Sequence, residues 1–202
     1  MGILRNYNLV SGRNSVSANV FEGLFSPQDF SNIVYSTPKD YVNLYWNSFK
    51  ASGTYDNAVN GKVFEFIIET LLIRSNILPF YTQAKMAFVP AIDFDIMLYS
   101  EDGIPYLLSL KTSFRERWKQ ADLEAEALKN VHRRAKCYLL TITPSDAQDV
   151  KNRIVSGEAI AIDDAIDCKS DDIDSLISDL QAINFIESLP VISAVKSGRL
   201  IQ

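Results

Sequence analysis

Thiol and imidazole chemistry is nearly missing from this chain. Its two cysteines, Cys137 and Cys168, lie far apart with no Cys-x-x-Cys pattern, which excludes a thiolate zinc site and offers no disulfide framework. The single histidine, His132, excludes clusters of imidazole ligands and argues against a His-centred nucleophile triad. No apolar run reaches the roughly 18 residues that a membrane-spanning helix needs. The opening Met1-Gly2-Ile3-Leu4-Arg5-Asn6-Tyr7 lacks the apolar core of a signal peptide, and Asn6 or Tyr7 stands where a myristoylation signal wants serine or threonine. A cytoplasmic protein with no membrane partner is therefore expected. Repeats and low-complexity linkers are lacking too. Whatever chemistry the chain performs must use carboxylates, lysine and metal.

Present instead are 202 residues with 47% hydrophobic and 22% charged content, enough to bury a core in one soluble domain spanning residues 1–202. The net charge of −5 weighs against nucleic acid, whose partners are usually basic. Its distribution says more than its sum. Between Lys111 and Lys136 eight Lys or Arg face four acids, whereas between Ser145 and Pro190 eleven acids face three bases. A basic segment on an acidic body is compatible with a focused DNA groove; a solvated helix face is the plain alternative.

Periodicity divides the domain into a possible helical dimerisation or DNA-clamp region (residues 1–55), a catalytic core (56–145) and an acidic helical C-terminal part (146–202). The first 36 residues are too mixed to place. Thr37 followed by Pro38 predicts a capped helix to about residue 51, closed by Ser52-Gly53. A second helix is expected over residues 58–75, where Val63, Phe64, Ile67, Ile68, Leu71 and Leu72 form an apolar face. Glu65 and Glu69, four apart, share one side of it; they suit a solvated face or a site equally. Period two then takes over, predicting strands at 85–89, 93–99 and 105–111, the last two joined by the turn Ser100-Glu101-Asp102-Gly103. Ser113 and Glu116 form a capping-box pattern that starts a helix running to about residue 135. A buried strand (136–143), a helix from Pro144 to about 155, a short strand (159–162) and a helix from Asp171 towards Pro190 complete an α/β domain with a central mixed β-sheet flanked by helices.

Alternation carries the main functional inference. Phe94, Ile96 and Leu98 should share one face, and Asp93, Asp95 and Met97 the other; in the next strand Tyr106, Leu108 and Leu110 oppose Leu107, Ser109 and Lys111. If the apolar sets share a core, Asp95, Ser109 and Lys111 converge. An aspartate and a lysine at the ends of paired strands suit metal-assisted phosphodiester hydrolysis, in which carboxylates hold Mg²⁺ and the lysine assists water and stabilises charge on phosphorus. Such a site wants a second carboxylate where Ser109 stands. Glu124, thirteen residues beyond Lys111, can return to the metal on a helix that places Arg117, Gln120, Ala121 and Glu124 on one side; alone, it would pass for a surface carboxylate.

Asp95, a hydrophobic strand, a turn and Ser109-Leu110-Lys111 resemble the PD-(D/E)XK nuclease pattern. Serine in the acidic slot, a displaced helical glutamate and Arg115-Glu116-Arg117 after the lysine resemble the type II restriction endonucleases that cut CCGG or interrupted CC…GG sites. The likeness covers about residues 60–140. It implies a restriction-endonuclease-like fold and a Mg²⁺-dependent double-stranded DNA endonuclease, with Mn²⁺ able to substitute. Asp95 and Glu124 would hold metal, Lys111 would assist water attack and Ser109 would line the site. Asp93 stays open as the essential ligand in place of Asp95, since no proline immediately precedes either; Glu65, with Glu69 behind it, is the candidate for a second metal position. Arg115, Glu116 and Arg117, with Lys119 beside them, would contact DNA. Arginine bonds guanine O6 and N7, and glutamate accepts from cytosine N4, each good contact contributing roughly 1–3 kcal/mol of discrimination. Trp118 is expected in the core. A palindromic site implies a homodimer, and restriction implies a cognate DNA methyltransferase as genetic partner. A junction or repair nuclease of the same fold and a catalytically silent DNA-binding protein are the alternatives.

Overall fold

Six strands, β1 (Phe80–Met86), β2 (Phe94–Tyr99), β3 (Pro105–Leu110), β4 (Lys136–Thr141), β5 (Asp164–Asp167) and β6 (Val195–Ile201), form one sheet in the order β5-β4-β3-β2-β1-β6. The computed structural model describes residues 2–11, 15–89, 92–113, 117–188 and 194–202. The pairs β6-β1, β1-β2 and β2-β3 are antiparallel, while β3-β4 and β4-β5 are parallel. The expected mixed α/β sheet is thus what the chain forms. The β2–β3 hairpin turns where expected: Gly103 takes φ +75° and donates its N–H to the Ser100 carbonyl, a conformation that glycine adopts without Cβ strain.

Helices cover both faces. On one side lie α1 (Ile3–Asn6), α2 (Val16–Gly23), α3 (Pro38–Ser52), α4 (Asn57–Arg74) and α7 (Asp171–Gln181); their apolar residues share a core with Ile96, Leu98, Leu108 and Leu140. On the other lie α5 (Arg117–Val131) and α6 (Pro144–Ser156), packed on Met97, Leu107 and Leu139. The β4 run Cys137-Tyr138-Leu139-Leu140 feeds both cores alternately, which is why it reads as nearly continuous apolar sequence. Thr37 and Asp40 form a reciprocal capping box that starts α3. The N-terminal helices are part of the first core, with Leu4, Phe21 and Phe30 buried and Phe21 set against Phe66 of α4 at 5.8 Å.

Several expectations need correction. α4 is not amphipathic over its length: from Phe66 to Leu72 every side chain is buried, Glu69 and Thr70 included. β1 starts at Phe80 rather than residue 85. The short strand expected at 159–162 does not form there, because the backbone N–H groups of Ile160, Ala161 and Ile162 all donate to the Asp122 carboxylate of α5. Pairing resumes later, in β5. α7 stops at Gln181 rather than continuing towards Pro190, and the chain after it crosses to the hairpin, where Glu101 N–H donates to Asn184 and Ile186 N–H to Tyr99. β6 was not expected, so the C-terminal part is not purely helical. Gly198 interrupts its pattern, at φ +148° with the position of a Cβ only 3.1 Å from Ala84 Cα; a side chain there would be strained in its backbone and crowd β1. The expected helix start at Ser113 runs into residues 114–116, which lie outside the described residues; α5 is described from Arg117. No helix among the described residues is long and apolar enough to cross a membrane.

Candidate active site

The antiparallel register, Ile96 opposite Leu108, sets the start of β2 beside the end of β3. Lys111, one residue past β3, donates its Nζ to Asp95 Oδ2 at 2.8 Å, and the Leu110 N–H donates to the same oxygen at 2.8 Å. Lys111 is itself anchored by its backbone N–H on the Leu140 carbonyl. Alternation fails at this point. Phe94 belongs to the α5-side core with Met97 rather than to the face of Ile96 and Leu98, so a strict period-two assignment does not hold through Asp95.

Asp95 and Lys111 form the floor of a cleft of about 420 Å³. One wall is the first half of α4, contributing Asn57, Ala58, Gly61, Lys62 and Glu65; the other is the start of α5, contributing Arg117 and Gln120. Both helices therefore aim their N-terminal halves at one pair of strand ends. Lys62 Nζ donates to Glu65 Oε2 at 2.6 Å and lies 3.9 Å from Glu69 Oε1. Burial alone would lower the Lys62 pKa, yet Glu69 and Glu65 together outweigh it and leave it raised.

The remaining expected residues fall outside this lining. Ser109 is buried and sits opposite Leu139 in the sheet. Glu124 accepts a 2.8 Å hydrogen bond from Gln120 Nε2, so it stands one turn beyond a cleft residue without lining the cleft itself. Asp93 is exposed and pairs with Lys85 at 3.5 Å, which leaves Asp95 as the aspartate of the cleft. Lys119 lies over the ring of Trp118, and Trp118 is core, as expected. Arg115 and Glu116 lie outside the described residues. Sequence reasoning passed over Lys62, although its place one turn before Glu65 was a usable signal. Among the described residues no three carboxylate, histidine or cysteine side chains stand together closely enough to hold a metal unaided. Asp95 and Glu65 supply hard oxygen ligands of the kind Mg²⁺ takes, since that ion is commonly held by one or two carboxylates with water and substrate phosphate completing the shell.

Glu69 lies deeper, 1% exposed, and its Oε2 has no hydrogen-bond partner among the described residues. Burial pushes its carboxyl up from 4.5 to about 7, helped by Glu65 and Asp95 and opposed by Lys62 and Arg199. The folded chain therefore holds this proton more tightly than the unfolded one, and stability declines as pH rises from about 4.5 to about 7. Glu69→Gln, measured in EDTA by urea denaturation between about pH 5 and about pH 8, is expected to flatten that decline and to stabilise the chain on the alkaline side by on the order of 2–3 kcal/mol. A variant with the parent's pH slope would show that Glu69 does not titrate in this window.

No family profile matches the sequence, and no curated protein does. Among solved structures the chain is similar to one described as a restriction endonuclease PspGI–substrate DNA complex, at 16% identity and a TM-score of 0.49, over 68% of this chain and 67% of that one.

Proposed function

We propose that the chain is a metal-dependent endonuclease acting on double-stranded DNA at a specific sequence. The observation that carries this reading is the Lys111–Asp95 contact at adjoining strand ends, on the floor of a cleft that also takes Glu65 from α4 and Arg117 from α5. Three cations, Lys62, Lys111 and Arg117, line it with two carboxylates, so an anionic backbone meets local positive charge on a chain that is acidic overall.

Asp95 and Glu65 would hold Mg²⁺, or Mn²⁺ in its place. When bound, the ion supplies Lewis-acid polarisation of the phosphate and lowers the pKa of a water. Lys111, held through its ammonium by Asp95 and through its backbone N–H by β4, donates to the attacking water or to the phosphate oxygen on which charge grows. Gln120, steadied by Glu124, lends a neutral donor on the α5 wall. Glu124 itself remains a proposed ligand only through a side-chain turn away from Gln120. Ser109 acts as packing beneath the floor. Arg117, the first residue of α5, lines the cleft, ends the proposed Arg115-Glu116-Arg117 reading stretch and is assigned to a guanine edge. A palindromic site, a homodimer and a companion methyltransferase belong to the same reading.

Incubating the protein with a mixed-sequence plasmid in Mg²⁺ and in EDTA tests it. Discrete fragments in Mg²⁺ alone are expected. Nicking confined to branched DNA would replace the reading with a junction nuclease, and intact DNA in Mg²⁺ and Mn²⁺ would remove it.

A further inference from the structure

We propose that Lys62 is a second phosphate-binding residue of this cleft, held by Glu65 in the free protein and released to DNA when Glu65 takes a cation. The inference rests on the nuclease reading of the cleft and adds to it a residue and a coupling between metal and DNA.

Lys62 could be thought a mere neutraliser of buried Glu69. Its geometry favours another role. The ammonium lies 3.9 Å from Glu69 Oε1, beyond hydrogen-bond range, and leaves Glu69 Oε2 without a partner among the described residues; its 2.6 Å contact is with Glu65, a cleft-lining group. The side chain is 30% exposed, and its ammonium stands 4.9 Å from the centre of the Phe66 ring. That ring, buried in the first core, gives the cation a second favourable contact beneath the cleft-lining stretch of α4. The lysine is thus presented to the cleft from a fixed base.

An ammonium has three donors and no acceptor. While Glu65 is an uncommitted carboxylate it is the strongest acceptor within reach, and the pair is charge-balanced. A divalent cation on Glu65 competes directly for those oxygens. It leaves Lys62 with only the deeper Glu69, 3.9 Å away and outside hydrogen-bond range, on the wall of a groove into which a phosphodiester descends. The phosphate is the acceptor that restores the balance. Cation and DNA then each raise the other's affinity, and that coupling must be reciprocal.

DNA affinity measured at constant ionic strength, in Ca²⁺ and in EDTA, tests the exchange without depending on cleavage. Lys62→Gln is expected to lose about tenfold in affinity in Ca²⁺ and little in EDTA, with the slope of log affinity against log salt reduced by about one only in Ca²⁺. Glu65→Gln should bind DNA more tightly than the parent in EDTA, because Lys62 is no longer held, and should respond less to Ca²⁺. Lys62→Arg should retain most of the Ca²⁺-dependent binding. Equal losses for Lys62→Gln in both conditions, or no loss in either, would overturn the exchange. Glu65→Gln binding no better than the parent in EDTA would do the same. Plasmid cleavage by the parent protein separates the two levels. If it cleaves while Lys62→Gln binds as the parent does, only the exchange fails; if the parent neither binds nor cleaves DNA, both fall.

Discussion

Lys111→Ala is expected to lower the rate of DNA cleavage by on the order of 10³-fold, while DNA binding in Ca²⁺ stays within about threefold of the parent, because Lys62 and Arg117 still line the cleft. The reasoning starts from the floor of the cleft. Asp95 Oδ2 has two donors, the Lys111 ammonium and the Leu110 N–H, each at 2.8 Å. Removing the ammonium leaves the backbone donor in place, so Asp95 keeps its orientation and loses its positive neighbour. With Glu65 across the same cleft, the variant carries more uncompensated negative charge there, which favours a divalent cation. What disappears is the donor assigned to the reacting phosphate and water. Metal and DNA binding should therefore survive where turnover does not. Cleavage at the parental rate by this variant would sink the assignment of Lys111, and parallel collapse of binding would recast it as a phosphate anchor only.

The largest effect on stability is expected from a residue with no part in the chemistry. Asp122 is 8% exposed and accepts from three consecutive backbone N–H groups, Ile160 at 3.1 Å, Ala161 at 2.8 Å and Ile162 at 3.1 Å. Hydrogen bonds to a charged acceptor contribute about 1.5–3 kcal/mol each, and buried donors left without a partner cost more than the mean bond is worth. Asp122→Ala should thus destabilise the chain by roughly 4 kcal/mol and lower Tm by about 10 °C. Glu124→Ala, two residues on, removes a half-buried carboxylate that accepts from the Gln120 amide, and should cost less than about 1 kcal/mol. Thermal melts of the two variants side by side provide the measurement. A Tm for Asp122→Ala within about 2 °C of the parent would mean that water replaces the carboxylate at those three donors.

These two acids show why only part of the site was legible in the chain. By pattern Asp122 passes for a surface carboxylate and Glu124 for the one that returns to the cleft. Their difference arises from the segment 160–162, nearly forty residues later, which folds against one and not the other. Glu65 and Glu69 are a similar pair. A four-residue spacing places both on one side of a helix, but the depth of α4 between the sheet and the N-terminal helices decides that Glu65 lines a cleft and Glu69 is buried. Asp93 and Asp95 were expected to share a face; the break in alternation at Phe94 sends one to Lys85 and the other to Lys111.

By itself the sequence determined the features that depend on near neighbours. The hairpin between β2 and β3 follows from alternating hydrophobicity and a turn glycine, α3 from its capping box, β4 from a continuous apolar run, and the Asp95–Lys111 convergence from two strands joined by a short turn. Local sterics, capping and short-range periodicity suffice for the first three, and the short hairpin brings Asp95 to Lys111 even though alternation breaks at Phe94. Only the tertiary structure decided where β6 pairs, why the strand pattern at 159–162 is diverted to Asp122, and which charged residues of α4 and α5 meet across the strand ends. Each of those outcomes rests on backbone donors and side-chain depths fixed by segments distant in the chain, and no local periodicity encodes a partner that far away.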